Sequence, residues 1–94
     1  MGTSLTVLAY TEPEVGAGPG LHYHDYDEIF LIRRGHARFT VGDDVVDAGP
    51  GDIVLGPAGI PHKFHNVGPG TLETTDLHLS DHIATVDVAD PERS

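Results

Sequence analysis

Leu21-His22-Tyr23-His24-Asp25-Tyr26-Asp27-Glu28-Ile29-Phe30-Leu31-Ile32-Arg33-Arg34-Gly35 is the stretch on which the fold turns. Aromatic and β-branched residues favour strands over Leu21–His24 and Glu28–Arg34, joined by a solvated acidic turn at Asp25 and Asp27. Residues two apart on a strand point to the same face. The imidazoles of His22 and His24 can therefore converge on one ion. Glu28 lies six residues beyond His22 and keeps that parity where the turn preserves register. Taken alone, a His-x-His pair reads more readily as two solvated histidines on a polar strand end.

Outward from this stretch the chain keeps the same texture. Twelve glycines and seven prolines interrupt it at short intervals, which leaves room for strands and little for helices. Further strands are expected over Ser4–Tyr10, His36–Val41, Asp44–Ala48, Ile53–Leu55, His62–Asn66, Thr71–Leu79 and Ile83–Val88. Gly42-Asp43 is a hairpin turn, since both residue types tolerate positive φ. Pro50-Gly51, Pro57-Ala58-Gly59 and Gly68-Pro69-Gly70 mark other reversals. No apolar period of 3.6 residues persists long enough for a substantial helix. The 94 residues suffice for one domain, 1–94, with 89–94 as a flexible polar tail. Many short strands in so small a chain point to an all-β barrel or two-sheet sandwich, and closure would remove exposed sheet edges.

Charge narrows the partners. Five basic residues stand against fifteen acidic ones, a net charge of −10, so nucleic acid and anionic membranes are disfavoured. The longest apolar runs, such as Ile29–Ile32, are too short to span a bilayer. No secretory signal is visible at the start of the chain. Met1-Gly2-Thr3-Ser4-Leu5-Thr6 fits the loose myristoylation pattern, but no second anchor follows and the match reads as chance. A soluble cytoplasmic protein is the expectation. Without cysteine there is no disulfide and no thiolate ligand, so any transition metal is held by nitrogen and oxygen.

Spacing changes the weight of the histidine pair. Gly16 stands six before His22, Glu28 follows His24 by four, and Gly35 follows Glu28 by seven. A second block runs Gly51-Asp52-Ile53-Val54-Leu55-Gly56-Pro57-Ala58-Gly59-Ile60-Pro61-His62-Lys63-Phe64-His65-Asn66. The blocks at 16–35 and 51–66 resemble the two cupin motifs, G-x5-H-x-H-x3,4-E-x6-G and G-x5-P-x-G-x2-H-x3-N, at every defined position. The resemblance implies an antiparallel double-stranded β-helix, the jelly-roll or cupin barrel. It further implies that His22, His24, Glu28 and His62 bind one divalent transition metal ion. Three neutral imidazoles and a carboxylate suit Mn, Fe, Co, Ni, Cu or Zn, with bonds of roughly 2.0–2.2 Å for zinc. Counting Glu28 alone, the loaded centre is net positive and suited to an anionic ligand or activated water. Four ligands leave one or two positions open on an octahedral ion.

Other residues are read from parity and context. His78, in Thr75-Asp76-Leu77-His78-Leu79, lines the barrel as a candidate catalytic acid/base if the leucines face outward; otherwise it is a surface histidine. His65 has odd parity to His62 and points away from the metal; His36 and His82 are exposed. Lys63, Arg33, Arg34 and Arg38 are expected at the surface, Asn66 in a turn or strand end, and Tyr23 and Tyr26 in ordinary strand roles. The Thr11–Gly20 loop can close over the mouth, bringing Glu12 or Glu14 inside. Family breadth implies a metalloenzyme of oxygenase type acting on a small organic molecule. A non-catalytic metal or small-ligand binder is the alternative, as is a redox-neutral isomerase, cyclase or lyase. A homodimer is expected, with Ile29 and Leu31 supplying apolar contact.

Overall fold

The computed structural model describes residues 4–93; Met1–Thr3 of the myristoylation pattern and Ser94 lie outside them. Nine strands follow in order: β1 (Thr6–Glu12), β2 (His22–Tyr23), β3 (Glu28–Arg34), β4 (Ala37–Val41), β5 (Asp44–Ala48), β6 (Ile53–Gly56), β7 (His62–Asn66), β8 (Leu72–His78) and β9 (Val86–Asp87). The predicted spans of β3, β5 and β7 agree to the residue. The last strand is shorter than Ile83–Val88. Part of that backbone is engaged elsewhere, as Ala84 bonds the side chains of His24 and Tyr26. The only helical element among the described residues is a 3-10 turn, Pro91–Arg93.

All pairings are antiparallel. One sheet has the order β1-β8-β3-β6 and the other β5-β4-β7-β2-β9. The expectation of a closed barrel is corrected here: among the described residues no ladder joins the two sheets, so they face each other as an open sandwich. The physical reason lies at the edges. The edge strand β9 and its neighbour β2 are each two residues long, too short to carry pairing around the corner.

Each long strand alternates. On β8, Leu72, Thr74, Asp76 and His78 are buried while the residues between are half-buried. The same inward row on β3 is Glu28, Phe30 and Ile32, and on β7 it is His62, Phe64 and Asn66. Phe30, Phe39 and Phe64 form a mutual cluster with ring centroids 4.7–5.3 Å apart. Ile32, Ala37, Ala48, Val54 and Leu72 complete the apolar interior. Deleting one of these rings is costly because the sheets cannot close fully over the void.

Turns set the registers. Gly42-Asp43 forms the two-residue β4–β5 hairpin, with Val41 opposite Asp44. Only Gly42 takes positive φ, 58°, as a type II′ turn requires of its first central residue. Asn66 is a turn organiser as expected: its side chain donates to the Glu12 and Gly70 carbonyls and accepts from the Gly68 N–H. At the chain end, Lys63 is paired with Asp90 and Glu92, tying the segment after β9 to β7.

Candidate metal centre

At one end of the interior the apolar filling stops. Register places His78, Glu28 and Gly56 side by side across one sheet, and Val41, His62 and His22 across the other. One candidate donor atom from each of His22, His24, Glu28 and His62 lies within 4.8 Å of the others. His24, Glu28 and His62 are buried and His22 is half-buried. Gly56 makes room: a Cβ there would stand 3.2 Å from the His62 ring.

Proton positions follow from the partners. Nδ1 of His22 is 2.6 Å from the Gly20 carbonyl, Nδ1 of His24 is 2.7 Å from that of Ala84, and Nδ1 of His62 is 3.2 Å from that of Ile60. A carbonyl oxygen only accepts, so each Nδ1 carries the proton and, in the neutral ring, each Nε2 presents a lone pair. His24 Nε2 and His62 Nε2 then lie 2.9 and 3.2 Å from Glu28 Oε1. Acceptors at such distances repel one another unless a cation, proton or metal, sits among them. With bonds of about 2.1 Å, adjacent donors on an octahedral ion lie about 3 Å apart. The donor set fits a divalent metal in chemistry and in spacing.

His78 differs. Its Nδ1 lies 3.0 Å from the Tyr26 hydroxyl and its Nε2 lies 3.1 Å from Glu28 Oε2. The Ala84 N–H donates to the Tyr26 oxygen, which frees the phenolic proton for His78 Nδ1. The proton of the neutral His78 ring then sits on Nε2, the side facing Glu28, the tautomer opposite to that of the other three. Burial lowers the pKa of both His22 and His78, keeping them neutral. Burial pushes the Glu28 carboxyl upward, but the His62 contact and the surrounding imidazoles outweigh it and hold it below the ordinary value.

A cavity of about 340 Å³ opens beside the cluster, with Leu8, Tyr10, Phe64, Ile83 and Thr85 among its walls and Pro19 and Gly20 at its margin. Glu12 and Glu14 are not in its lining. Glu12 pairs with Leu72 at the other end of β8, and its carboxylate accepts from Tyr10 and from the Glu14 N–H. A larger hollow beside Lys63, His65 and Glu92 contains none of the four donors.

Two residues outside the sequence-level set matter. Tyr26 is buried, stacks on His24 with centroids 4.7 Å apart and holds His78. Asp76 lines the cavity, and burial pushes its carboxyl up to about 6. Its parity with His78 along β8 was the available signal. Asp27 also has a specific contact: its carboxylate accepts from the Ala58 N–H, tying the first motif to the second.

Comparison with known proteins agrees with this fold. The chain is 39% identical over 44 residues to SCO3923, an uncharacterized protein of Streptomyces coelicolor, an alignment covering 47% of this chain and 42% of that protein. Oxalate decarboxylase from Bacillus subtilis, described with Mn(II) centres, superposes with a TM-score of 0.82 at 26% identity, covering 92% of this chain and 24% of that one. A conserved Streptococcus pyogenes protein of unknown function gives 0.74 at 19%, covering 88% and 70%, a likeness of fold alone. The chain thus spans less than half of SCO3923 and about a quarter of the decarboxylase. The cupin domain model matches residues 9–78, a span running from β1 to the end of β8 and containing all four donors, and the chain belongs to the cupin domain family.

Proposed function

We propose that the chain is a metal-dependent cupin that holds one divalent ion through His22, His24, Glu28 and His62 and acts on a small organic molecule in the adjoining cavity. The observation that carries this is the main-chain carbonyl bound by Nδ1 of each of three imidazoles, with Nε2 of His24 and of His62 turned toward Glu28. Manganese is a reasonable ion, given the Mn(II) centres of the decarboxylase. When bound, the ion would supply Lewis acidity or redox chemistry at an open coordination position. The chain's own groups do the rest. His78 faces Glu28 Oε2 with its Nε2 at 3.1 Å and holds the carboxylate electrostatically, Tyr26 fixes His78, and the apolar walls limit water. Held by Tyr26 at Nδ1 and facing Glu28 with Nε2, His78 serves as a positioning residue in this state.

Oxygenase-type chemistry is the preferred reaction class. The test is metal analysis of the purified protein, with oxygen uptake measured on phenolic and diketone substrates after loading with Mn(II) or Fe(II). Metal uptake at one equivalent, lost in Glu28→Gln, supports the site; no uptake with ions in excess ends it. Metal uptake without oxygen consumption moves the reading to a redox-neutral reaction or simple ligand binding. The Asp76 carboxyl beside the cluster, which titrates at about 6 and can therefore take up and release a proton near neutral pH, favours redox-neutral proton transfer as that second reading.

We also propose a homodimer. Across the outer face of the four-stranded sheet, register aligns Val7, Leu77, Ile29 and Leu55 in one row and Ala9, Thr75, Leu31 and Ile53 in the next. Val7, Leu55 and Ile53 are more than half exposed, which leaves an apolar patch suited to a second copy. Light scattering giving the mass of two chains supports this; a single-chain mass at high concentration refutes it.

A further inference from the structure

Among the described residues that line the cavity there is no lysine or arginine. Three carboxylates line it: Glu28, Asp76 and Asp87. A divalent ion adds two positive charges to those three negative ones. The loaded cavity is therefore not the net positive centre suggested by counting Glu28 alone. The chain as a whole, at −10, repels anions further.

Asp76 is the unusual member. It sits inward on β8, opposite Leu8 on one side and Phe30 on the other, and is 7% exposed. Thr74 Oγ1–H donates to its Oδ1 at 2.7 Å. Among the described residues no donor is recorded on Oδ2. Every fully buried side-chain polar atom has a partner, so this unpartnered oxygen is the edge that remains accessible where the residue meets the cavity. An acceptor held in an apolar wall with one edge unpaired discriminates strongly, because a ligand that cannot donate leaves it desolvated and unsatisfied.

We propose that Asp76 is the recognition group of this cavity, selecting small ligands with an apolar body and a hydrogen-bond-donating head, ammonium or hydroxyl, against carboxylates. Leu8, Phe30, Phe64 and Ile83 supply the apolar contact. The assignment deepens the function proposed above and rests on the same cavity being its ligand site. It predicts a substrate class unlike a small dicarboxylate, which would face Asp76 without a cation to offset it.

The test compares benzylamine, benzyl alcohol and benzoate, one shape with three heads, by calorimetry and amide chemical shifts on zinc-loaded and on chelator-treated protein. On the unaltered chain at least one donating probe is expected to bind tenfold or more tightly than benzoate, with shifts at Thr74, Asp76 and Ile83. Asp76→Asn, which keeps the acceptor for Thr74 and turns a donor toward the cavity, is expected to weaken the donating probes at least tenfold. Preference for benzylamine assigns the head as ammonium, and preference for benzyl alcohol as hydroxyl. Tightest binding by benzoate, no binding of any probe, or an unchanged ranking in Asp76→Asn overturns the proposal. The ranking on the unaltered chain stands as a test even if the variant fails to fold. Failure of zinc uptake while a donating probe still outranks benzoate sinks the metal reading and leaves Asp76 in place.

Discussion

The two ends of the sandwich interior are built from the same strands and have opposite chemistry. On β3 the inward row passes from Glu28 through Phe30 to Ile32, and on β8 it passes from His78 and Asp76 through Thr74 to Leu72. β7 supplies His62 to the polar end and Phe64 to the apolar one. A step of one inward position, two residues along a strand, separates groups that gain from leaving water from groups that lose by it. Folding free energy is supplied at the phenylalanine end, and the other end spends part of it to hold buried polar groups in a fixed geometry. The pattern is that of a scaffold and a site sharing one core.

The largest effect is expected from breaking the apolar end. Phe39→Ala, at a fully buried position within the aromatic cluster, should cost about 3–5 kcal/mol in urea unfolding. A loss below about 1 kcal/mol would mean that the two ends do not divide the work as described. Filling the polar end comes next. Zinc or manganese at a hundredfold excess over its dissociation constant should stabilise the chain by about 2.7 kcal/mol. For a domain of this size that raises the melting temperature by roughly 10–20 °C. The rise should be reversed by a chelator and largely absent in Glu28→Gln.

A third experiment sharpens the contrast through pH. The folded Asp76 carboxyl titrates at about 6 against 3.8 for the free group. The folded state therefore holds the extra proton between those values. This residue's contribution is fully favourable below the unfolded value and is lost as pH rises through the folded one. In chelator-treated protein, Asp76→Asn should match the parent near pH 4 and exceed it by up to about 3 kcal/mol above pH 7. Equal pH dependence of the two melting curves would refute the assigned strain. The smallest effect concerns His78. His78→Gln should weaken metal binding by roughly tenfold through loss of the electrostatic contact to Glu28. His65→Gln, on the outward row of β7, is the control and should change nothing in competitive metal titration.

Much of this contrast was legible in the chain, and the rest was hidden for physical reasons. Strand parity put His22 with His24 and Glu28, and the resemblance to the two cupin motifs implied His62 as the fourth; these four do come together. Strand parity left His78 undecided, because it cannot tell which face of a strand is covered. Asp76 shares that parity and went unweighed, since nothing in a lone aspartate between Thr75 and Leu77 marks it as buried. Tyr26 could not be found from sequence: its bond to His78 spans 52 positions, and its backbone lies in a turn. Sheet closure was misjudged because strand count says nothing about how far edge strands extend. Glu12 was assigned to a mouth loop, whereas pairing with Leu72 prolongs β1 and carries it to the far end.

The oxygens that aim the three imidazoles belong to Gly20, Ile60 and Ala84, each on a different loop and each part of the peptide backbone. Every amino acid carries that same oxygen, so replacing any of these three residues leaves the aiming group in place. Sensitivity then shifts from side-chain identity to chain length. Inserting or deleting a single residue in any of those loops would swing a ring off its target, while the side chains at these three positions are free to drift.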